Sequence, residues 1–172
     1  MLCHGGSLGI NDQGVLLIGP GGSGKSGTTL AGISHGLQTV GDDYCLIDPV
    51  EAIAFPLYQI IKQDPKGFER LSSEIADIHS LQVNWQNKYE VHRRLFKSDP
   101  FIGALKIKAL MLLKIKDAKV CSLKTSTPGE AMKAWALSSS FQLPDHEKES
   151  IAYISDLCKR LPVMEITLSR DD

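Results

Sequence analysis

The sequence lacks the features that mark several classes of protein. None of its apolar runs approaches the length of about 18 residues that a membrane-spanning helix needs. Its first residues have neither the basic leader nor the apolar stretch of a signal peptide, and no internal repeat follows. With 19 basic and 20 acidic side chains the net charge is −1, so no overall field attracts nucleic acid or an anionic membrane. We therefore expect a cytoplasmic protein with no nucleic-acid or membrane partner.

Cysteine is also scarce. The four cysteines lie far apart and form no C-x-x-C pair: Cys3, Cys45, Cys121 and Cys158. A chain of 172 residues can bury a core without disulfide bonds, so these thiols are expected to be reduced and mostly buried. The length and the 42% hydrophobic content predict one domain over residues 1–172. Because a strand pattern begins almost at Met1, that domain could belong to a longer protein.

Strand and helix patterns alternate along the chain. Strand patterns cover residues 2–10, 15–18, 37–40, 44–47, 51–55, 104–115, 120–123 and 163–168, with a turn at Lys116-Asp117. Helical patterns run from Lys25 to Gly36, over 128–137 behind the candidate N-cap Thr127, and over 146–161. Residues 57–100 are polar, with weak helical periodicity over 68–78, so mixed helix and loop are expected there. The alternation predicts an α/β domain.

A glycine-rich segment separates the second predicted strand from the first helix. The spacing Gly19-x-x-x-x-Gly24-Lys25-Ser26 matches the phosphate-binding loop of nucleotide-binding proteins. Glycines let backbone N–H groups point at the β-phosphate, and the helix adds its positive N-terminal end. Lys25 would reach the β- and γ-phosphates, and Ser26 would offer its hydroxyl to Mg²⁺.

The residues predicted to bind nucleotide are consecutive: Gly19, Pro20, Gly21, Gly22, Ser23, Gly24, Lys25, Ser26 and Gly27. The alternative interpretation is a glycine-rich turn before a helix. The apolar residues Val15 to Ile18 in front of the loop, and the helical pattern behind it, favour the phosphate-binding loop. Gly27 falls in the first helical turn, where glycine destabilises a helix by about 0.5–1 kcal/mol relative to alanine.

Asp42 and Asp43 follow the strand predicted over 37–40. The ends of adjacent parallel strands meet at a ligand crevice, so both carboxylates are expected beside the loop. They are candidates for a Mg²⁺ ligand and for a base toward an acceptor hydroxyl, and their mutual repulsion would raise one pKa. The alternative is a simple turn. His4 could return to the phosphates through the first hairpin, although a lone histidine in a strand is more often a packed residue.

Several of these segments resemble a known family. They are His4-Gly5, residues 14–20, His35-Gly36 and residues 40–43, with weaker similarity over 104–113, 126–131 and 161–171. They are similar to the catalytic domain of the HPr kinase/phosphorylase family and of related serine kinases, which share a fold with phosphoenolpyruvate carboxykinase. The resemblance implies a P-loop α/β domain with a mixed sheet, ATP and Mg²⁺ as cofactors, and assembly into homo-oligomers.

The resemblance also implies roles for individual residues. Lys25 and Ser26 would hold the phosphates and the metal ion, and Lys25 would also be a catalytic residue. Asp42 would act as base toward the acceptor serine, Asp43 would assist at Mg²⁺, and His4 would lie near the transferred phosphate. The family's later arginine- and glycine-containing segment, associated with phosphorolysis, is not found. Arg93-Arg94 is a candidate source of phosphate-contacting arginines, the alternative being a solvated charged pair.

The leading hypothesis is an ATP-dependent kinase that phosphorylates a serine hydroxyl of a protein or peptide, including a peptide natural-product precursor. A small-molecule kinase is the second enzymatic hypothesis. A nucleotide-binding regulatory domain that has lost phosphoryl transfer is the alternative from a different class.

Overall fold

A computed structural model describes residues 1–71, 74–76, 81–116 and 120–169. The α-helices are α1 (Lys25–Ser34), α2 (Pro65–Leu71), α3 (Pro128–Ser139) and α4 (Glu147–Arg160). The strands are β1 (Leu2–His4), β2 (Gly6–Ile10), β3 (Gln13–Ile18), β4 (Tyr44–Asp48), β5 (Ile53–Pro56), β6 (Ile60–Gln63), β7 (Tyr89–His92), β8 (Leu105–Lys116), β9 (Ser122–Thr125) and β10 (Val163–Ser169). Asp117 of the predicted turn and Arg170-Asp171 of the family resemblance lie outside the described residues.

Eight of the described strands form one sheet built around the long strand β8. The order is β1-β4-β5-β8-β10-β9, and β3 pairs with both β2 and β8. β3 and β10 run parallel to β8, whereas the other pairings in this sheet are antiparallel. The predicted mixed sheet of an α/β fold is therefore present. β6 and β7 form a separate antiparallel pair.

The main core lies between the sheet and helices α3 and α4. Side chains of β8 alternate, so that Leu110 and Leu112 pack with Trp135 of α3 and Ile154 of α4. The N-terminus of α3 forms as predicted, because the Thr127 side chain accepts a hydrogen bond from the Glu130 N–H. These contacts fix the face of the sheet on which α3 approaches β1.

Helix α1 lies close to β2. A Cβ added at Gly32 would overlap the side chain of Leu8, so glycine permits this close approach. Leu30 and Ile33 of α1 pack into a second core that includes Ile61 of β6. This core packs the β6–β7 pair against helix α1.

Three predictions about local structure are wrong. The strand predicted over 37–40 is reduced to two isolated bridges, at Gln38 and Thr39. Side-chain hydrogen bonds replace strand pairing here, because the Thr39 hydroxyl accepts the Gly41 N–H and the hydroxyl of Ser7, distant in sequence, accepts the Val40 N–H. The strand predicted over 2–10 is interrupted at Gly5. Residues 57–100, expected to be helix and loop, include the strands β6 and β7.

Cys3, Cys45 and Cys158 are buried and unpaired, as predicted, whereas Cys121 is exposed. Burial raises the pKa of the Cys158 thiol to about 11. Among the helices in the described part of the chain, none combines the length and apolar character needed to cross a bilayer.

Candidate active site

The glycine loop connects the end of β3 to the start of α1. Gly19 and Gly24 have φ angles of 149° and 97°, in the region that favours glycine. A Cβ at Gly19 would lie 2.6 Å from Oγ of Ser23, and one at Gly24 would lie 2.6 Å from Cδ1 of Leu168. The two glycines at the fixed ends of the motif are therefore required by backbone conformation and by space.

Lys25 is the first residue of α1, and its side chain turns back over the loop. Its Nζ donates hydrogen bonds of 2.8 Å to the Gly19 carbonyl and 3.1 Å to the Pro20 carbonyl. Burial lowers the pKa of Lys25, while the nearby Asp43 and Asp42 act in the opposite direction. The ammonium is thus held at the loop by two neutral carbonyls, which an anionic ligand would outcompete.

Asp42 is almost fully buried, with 1% of its surface exposed. Its Oδ2 accepts the Lys62 backbone N–H at 3.3 Å, while its Oδ1 has no hydrogen-bond partner. Burial, followed by the charge of Asp43, raises the pKa of Asp42 to about 7, and the Ser26 side chain opposes this rise. Asp42 is therefore a carboxyl that can gain or lose a proton near neutral pH.

Asp43 is half-buried and has a partner on each oxygen. His4 Nε2 lies 3.4 Å from its Oδ1, and Lys62 Nζ lies 3.4 Å from its Oδ2. The hydrogen bond with His4, together with the Lys62 ammonium, holds the pKa of Asp43 below its usual range. Adjacent residues thus provide one carboxyl that retains its proton up to neutral pH and one that stays ionised.

His4 is positioned by contacts with α3 and β4. Its backbone N–H donates to Oγ of Ser139 in α3, at 3.0 Å. Its ring lies 5.2 Å from the ring of Tyr44, its cross-strand neighbour in β4. Tyr44 is itself held by a 3.0 Å hydrogen bond from its hydroxyl to Oε1 of Gln142. The imidazole is therefore fixed in place on the side of Asp43 away from Lys62.

The predicted site residues lie close together, but the strands that position them differ from those that the sequence indicated. Asp42 and Asp43 were expected to follow a strand in a parallel sheet, but they lie in the segment that enters the antiparallel pair of β4 with β1. The Gly5 N–H donates to the Asp43 carbonyl at 3.0 Å, and the Ser7 N–H donates to the Gly41 carbonyl at 2.9 Å. The same β1–β2 segment therefore positions both His4 and the aspartates.

Lys62 is the site residue that sequence reasoning missed. It lies in β6, within the polar region expected to be helix and loop, and the only signal there is the apolar pair Ile60-Ile61 in front of it. The predicted candidates Arg93 and Arg94 do not line the loop or the aspartate cavity. Arg93 instead binds Asp99 and Gln59.

Two cavities open onto this cluster. A groove of about 990 Å³ is lined by the loop residues 20–23, by His4 and Tyr44, and by lysines of β8 and α3: Lys114, Lys116 and Lys133. A smaller cavity of about 190 Å³ is lined by Asp42, Asp43, Tyr44 and Lys62 among others. The larger groove has the size of a small-molecule site. Its lining also includes Glu130, which pairs with Lys114, so that Lys116 and Lys133 supply its excess positive charge.

A magnesium ion fits the donors present, provided that a ligand supplies part of its shell. In the part of the chain that the structure describes, no three His, Cys, Asp or Glu side chains are grouped to hold a metal ion. Mg²⁺ characteristically binds one or two carboxylates and completes its coordination with phosphate oxygens and water. Ser26 and Asp43 offer oxygens of this kind, next to the buried and unpartnered Oδ1 of Asp42.

The fold and the site together define a mixed α/β protein with a glycine loop, a lysine over that loop and a neighbouring carboxyl pair. No protein-family model matches the sequence, and no curated protein matches it. Among solved structures, the Hpr(Ser) kinase/phosphatase from Coxiella burnetii is similar over 99% of this chain and 86% of that chain, with 16% identity and a TM-score of 0.47. The roles of the site residues consequently depend on their own geometry.

Proposed function

We propose that this protein is an ATP-dependent kinase that transfers the γ-phosphoryl group to a serine hydroxyl of a protein or peptide, with Mg²⁺ as its metal ion. The observation that carries the proposal is the contrast between two adjacent carboxyls beside an anion-binding loop. Burial raises the pKa of Asp42 to about 7, whereas His4 and Lys62 hold the pKa of Asp43 below its usual range. Phosphoryl transfer to a hydroxyl uses a base that can accept a proton near neutral pH, which is the part of Asp42. It also uses a group that stays charged, which is the part of Asp43.

Each residue has a defined part in the transfer. The serine oxygen forms a bond to the γ-phosphorus while the bond from that phosphorus to the β–γ bridging oxygen breaks, and Asp42 accepts the hydroxyl proton at Oδ1. Lys25 neutralises charge on the β- and γ-phosphates. Mg²⁺, when bound through Ser26 and Asp43, would withdraw charge from the phosphate oxygens. His4 positions Asp43 and lies beside the phosphates.

Serine as the acceptor is supported by the resemblance of residues 4–5, 14–20 and 40–43 to the HPr kinase-like serine kinases. The chemistry of the cluster by itself requires only a hydroxyl. The acceptor therefore has to be established by identifying the labelled product.

The test is transfer of label from γ-labelled ATP to candidate proteins and serine peptides, with the product identified by mass spectrometry. Wild type should label serine, and Asp42→Asn should not, although it should still bind Mg²⁺-ATP. Asp12→Asn is the matched control, because Asp12 lies in the turn before β3, at the opposite end of that strand from the loop. Normal nucleotide binding without transfer to any acceptor would favour the regulatory domain, and label on small alcohols alone would favour the small-molecule kinase.

A further inference from the structure

Three openings lie side by side around the aspartates, and neighbouring openings share lining residues. Tyr44 lines both the loop groove and the aspartate cavity. Tyr58 and Ile60 line both the aspartate cavity and a third groove of about 790 Å³. The aspartates thus lie between the loop groove on one side and this third groove, formed by residues 58–60 and 92–99, on the other.

Phosphoryl transfer proceeds in line, with the attacking and leaving oxygens on opposite sides of the phosphorus. A nucleotide bound on the glycine loop would carry its leaving oxygen on the loop side of the phosphorus, and the acceptor oxygen would then approach from the side facing away from the loop. The cavity that Asp42 shares with Tyr58 and Ile60 is an opening beside the proposed base through which an acceptor could reach it. The third groove adjoins this cavity, because Tyr58 and Ile60 line both, and it leads from the cavity to the protein surface.

The lining of the third groove is predominantly basic. Its charged side chains are Arg93, Arg94, Lys97 and Asp99, and it also contains His92 and Tyr58. Asp99 is occupied by Arg93, whose guanidinium also donates to Oε1 of Gln59. Within the described residues, the side chains of Arg94 and His92 have no hydrogen-bond or ion-pair partner. The groove therefore presents a fixed Arg93–Asp99 pair and at least one uncompensated guanidinium.

We propose that this groove, lined by residues of the segments 58–60 and 92–99, binds the acceptor chain and selects acidic residues that flank the phosphorylated serine without being adjacent to it. The inference rests on the proposed kinase function and adds the class of acceptor. Glu90, which lines the aspartate cavity and accepts a 2.8 Å hydrogen bond from Asn84, disfavours an acidic residue immediately beside the serine. The selected carboxylates belong farther along the acceptor, where they can reach Arg94.

The experiment measures peptide binding without nucleotide, by fluorescence anisotropy. The probes are three labelled, serine-centred peptide pools, whose flanking positions are drawn from Glu and Ala, from Gln and Ala, or from Lys and Ala. Wild type should bind the Glu pool most tightly, and added salt should weaken that binding. Arg94→Glu should weaken binding of the Glu pool about threefold to tenfold. Lys148→Glu makes the same charge change at an exposed position in α4 and should not alter binding.

Arg94→Gln serves as a second variant that removes the charge without reversing it, and melting curves establish that each variant is folded. Equal binding of the three pools by wild type, or unchanged binding by both Arg94 variants, would overturn the proposal. Because no phosphate is transferred in this assay, a retained preference for the Glu pool in a protein that cannot transfer label would overturn the kinase function alone.

Discussion

The Nε2 atom of His4 lies 3.4 Å from Oδ1 of Asp43. The contact is made across the pairing of β1 with β4, and Lys62 binds the other oxygen of the same carboxylate from a third strand. Asp43 therefore has a polar partner on each oxygen, whereas Oδ1 of its neighbour Asp42 is buried without one. The two carboxyls are adjacent in the chain but differ in the proton they hold at neutral pH, so their variants should behave differently.

Asp42→Asn removes the proton acceptor while keeping the size of the side chain. Mg²⁺-ATP should still bind, and transfer should fall by about 10²–10⁴-fold. Asp43→Asn should instead raise the Mg²⁺ concentration needed for half-maximal activity, because an amide attracts a hard dication less than a carboxylate does. Magnesium titrations of labelled-phosphate transfer separate the two effects. Identical phenotypes would contradict this division of roles, and wild-type transfer in both variants would remove the pair from the site.

Lys25→Ala should weaken nucleotide binding about tenfold to a hundredfold, because it removes charge-assisted hydrogen bonds to the phosphates. Mg²⁺-ATP at about 100 times its Kd should stabilise wild type by roughly 2.7 kcal/mol, and the variant should lose most of this effect at the same concentration. Calorimetric titration and melting curves measure both quantities. An unaltered Kd in a folded variant would mean that the loop is only structural.

Lys62→Met removes the ammonium from Asp43 but keeps the backbone N–H that binds Asp42. Since the Lys62 charge lowers the pKa of Asp43 and opposes the rise in the pKa of Asp42, the variant should raise both pKa values, including that of the proposed base. The acidic limb of the pH–activity profile should therefore move to higher pH, with the largest loss of activity at low pH. Lys66→Met, at an exposed position in α2, provides the control. Equal losses at every pH would mean that Lys62 acts by another route.

Asp42 should make stability depend on pH even without ligand. Its pKa is about 7 in the folded protein against 3.8 as the ordinary value, so between these values the unfolded chain releases a proton that the folded protein retains. The contribution of Asp42 to stability should fall as pH rises through this window, by at most about 1.4 kcal/mol per pH unit, and then level off. Urea denaturation should show that the free energy of unfolding of Asp42→Asn rises relative to that of wild type from pH 4 to pH 7. A pH-independent difference would contradict the shifted pKa.

Two glycines near the start of α1 should respond oppositely to alanine. Gly24→Ala forces a φ of 97° on a residue with a side chain and places its Cβ 2.6 Å from Leu168, so it should destabilise the apo protein by about 1 kcal/mol or more. Gly27→Ala meets open space within the helix and should stabilise it by about 0.5–1 kcal/mol. Chemical denaturation without nucleotide measures both. Destabilisation by Gly27→Ala would show that the start of α1 needs glycine there too.

Much of the local structure could be predicted because it depends on short-range chemistry. The loop motif from Gly19 to Ser26 runs from the end of β3 into the first turn of α1, and the Thr127 cap begins α3. Apolar periodicity located β8 and β10 to within about two residues. The candidate residues Lys25, Asp42 and Asp43 were also apparent, because each is adjacent to a recognisable segment.

The sequence alone therefore determined the loop, the principal helices and the identity of the acidic pair. Only the tertiary structure decided which strand lies beside that pair, since periodicity reports the buried face of a strand but not its neighbour. The hydroxyls of Ser7 and Thr39 replace the strand expected before Asp42, and the β6–β7 pair brings Lys62 to both aspartates. The different pKa values of Asp42 and Asp43 likewise arise from burial and from partners distant in sequence, because desolvation and charge act through space.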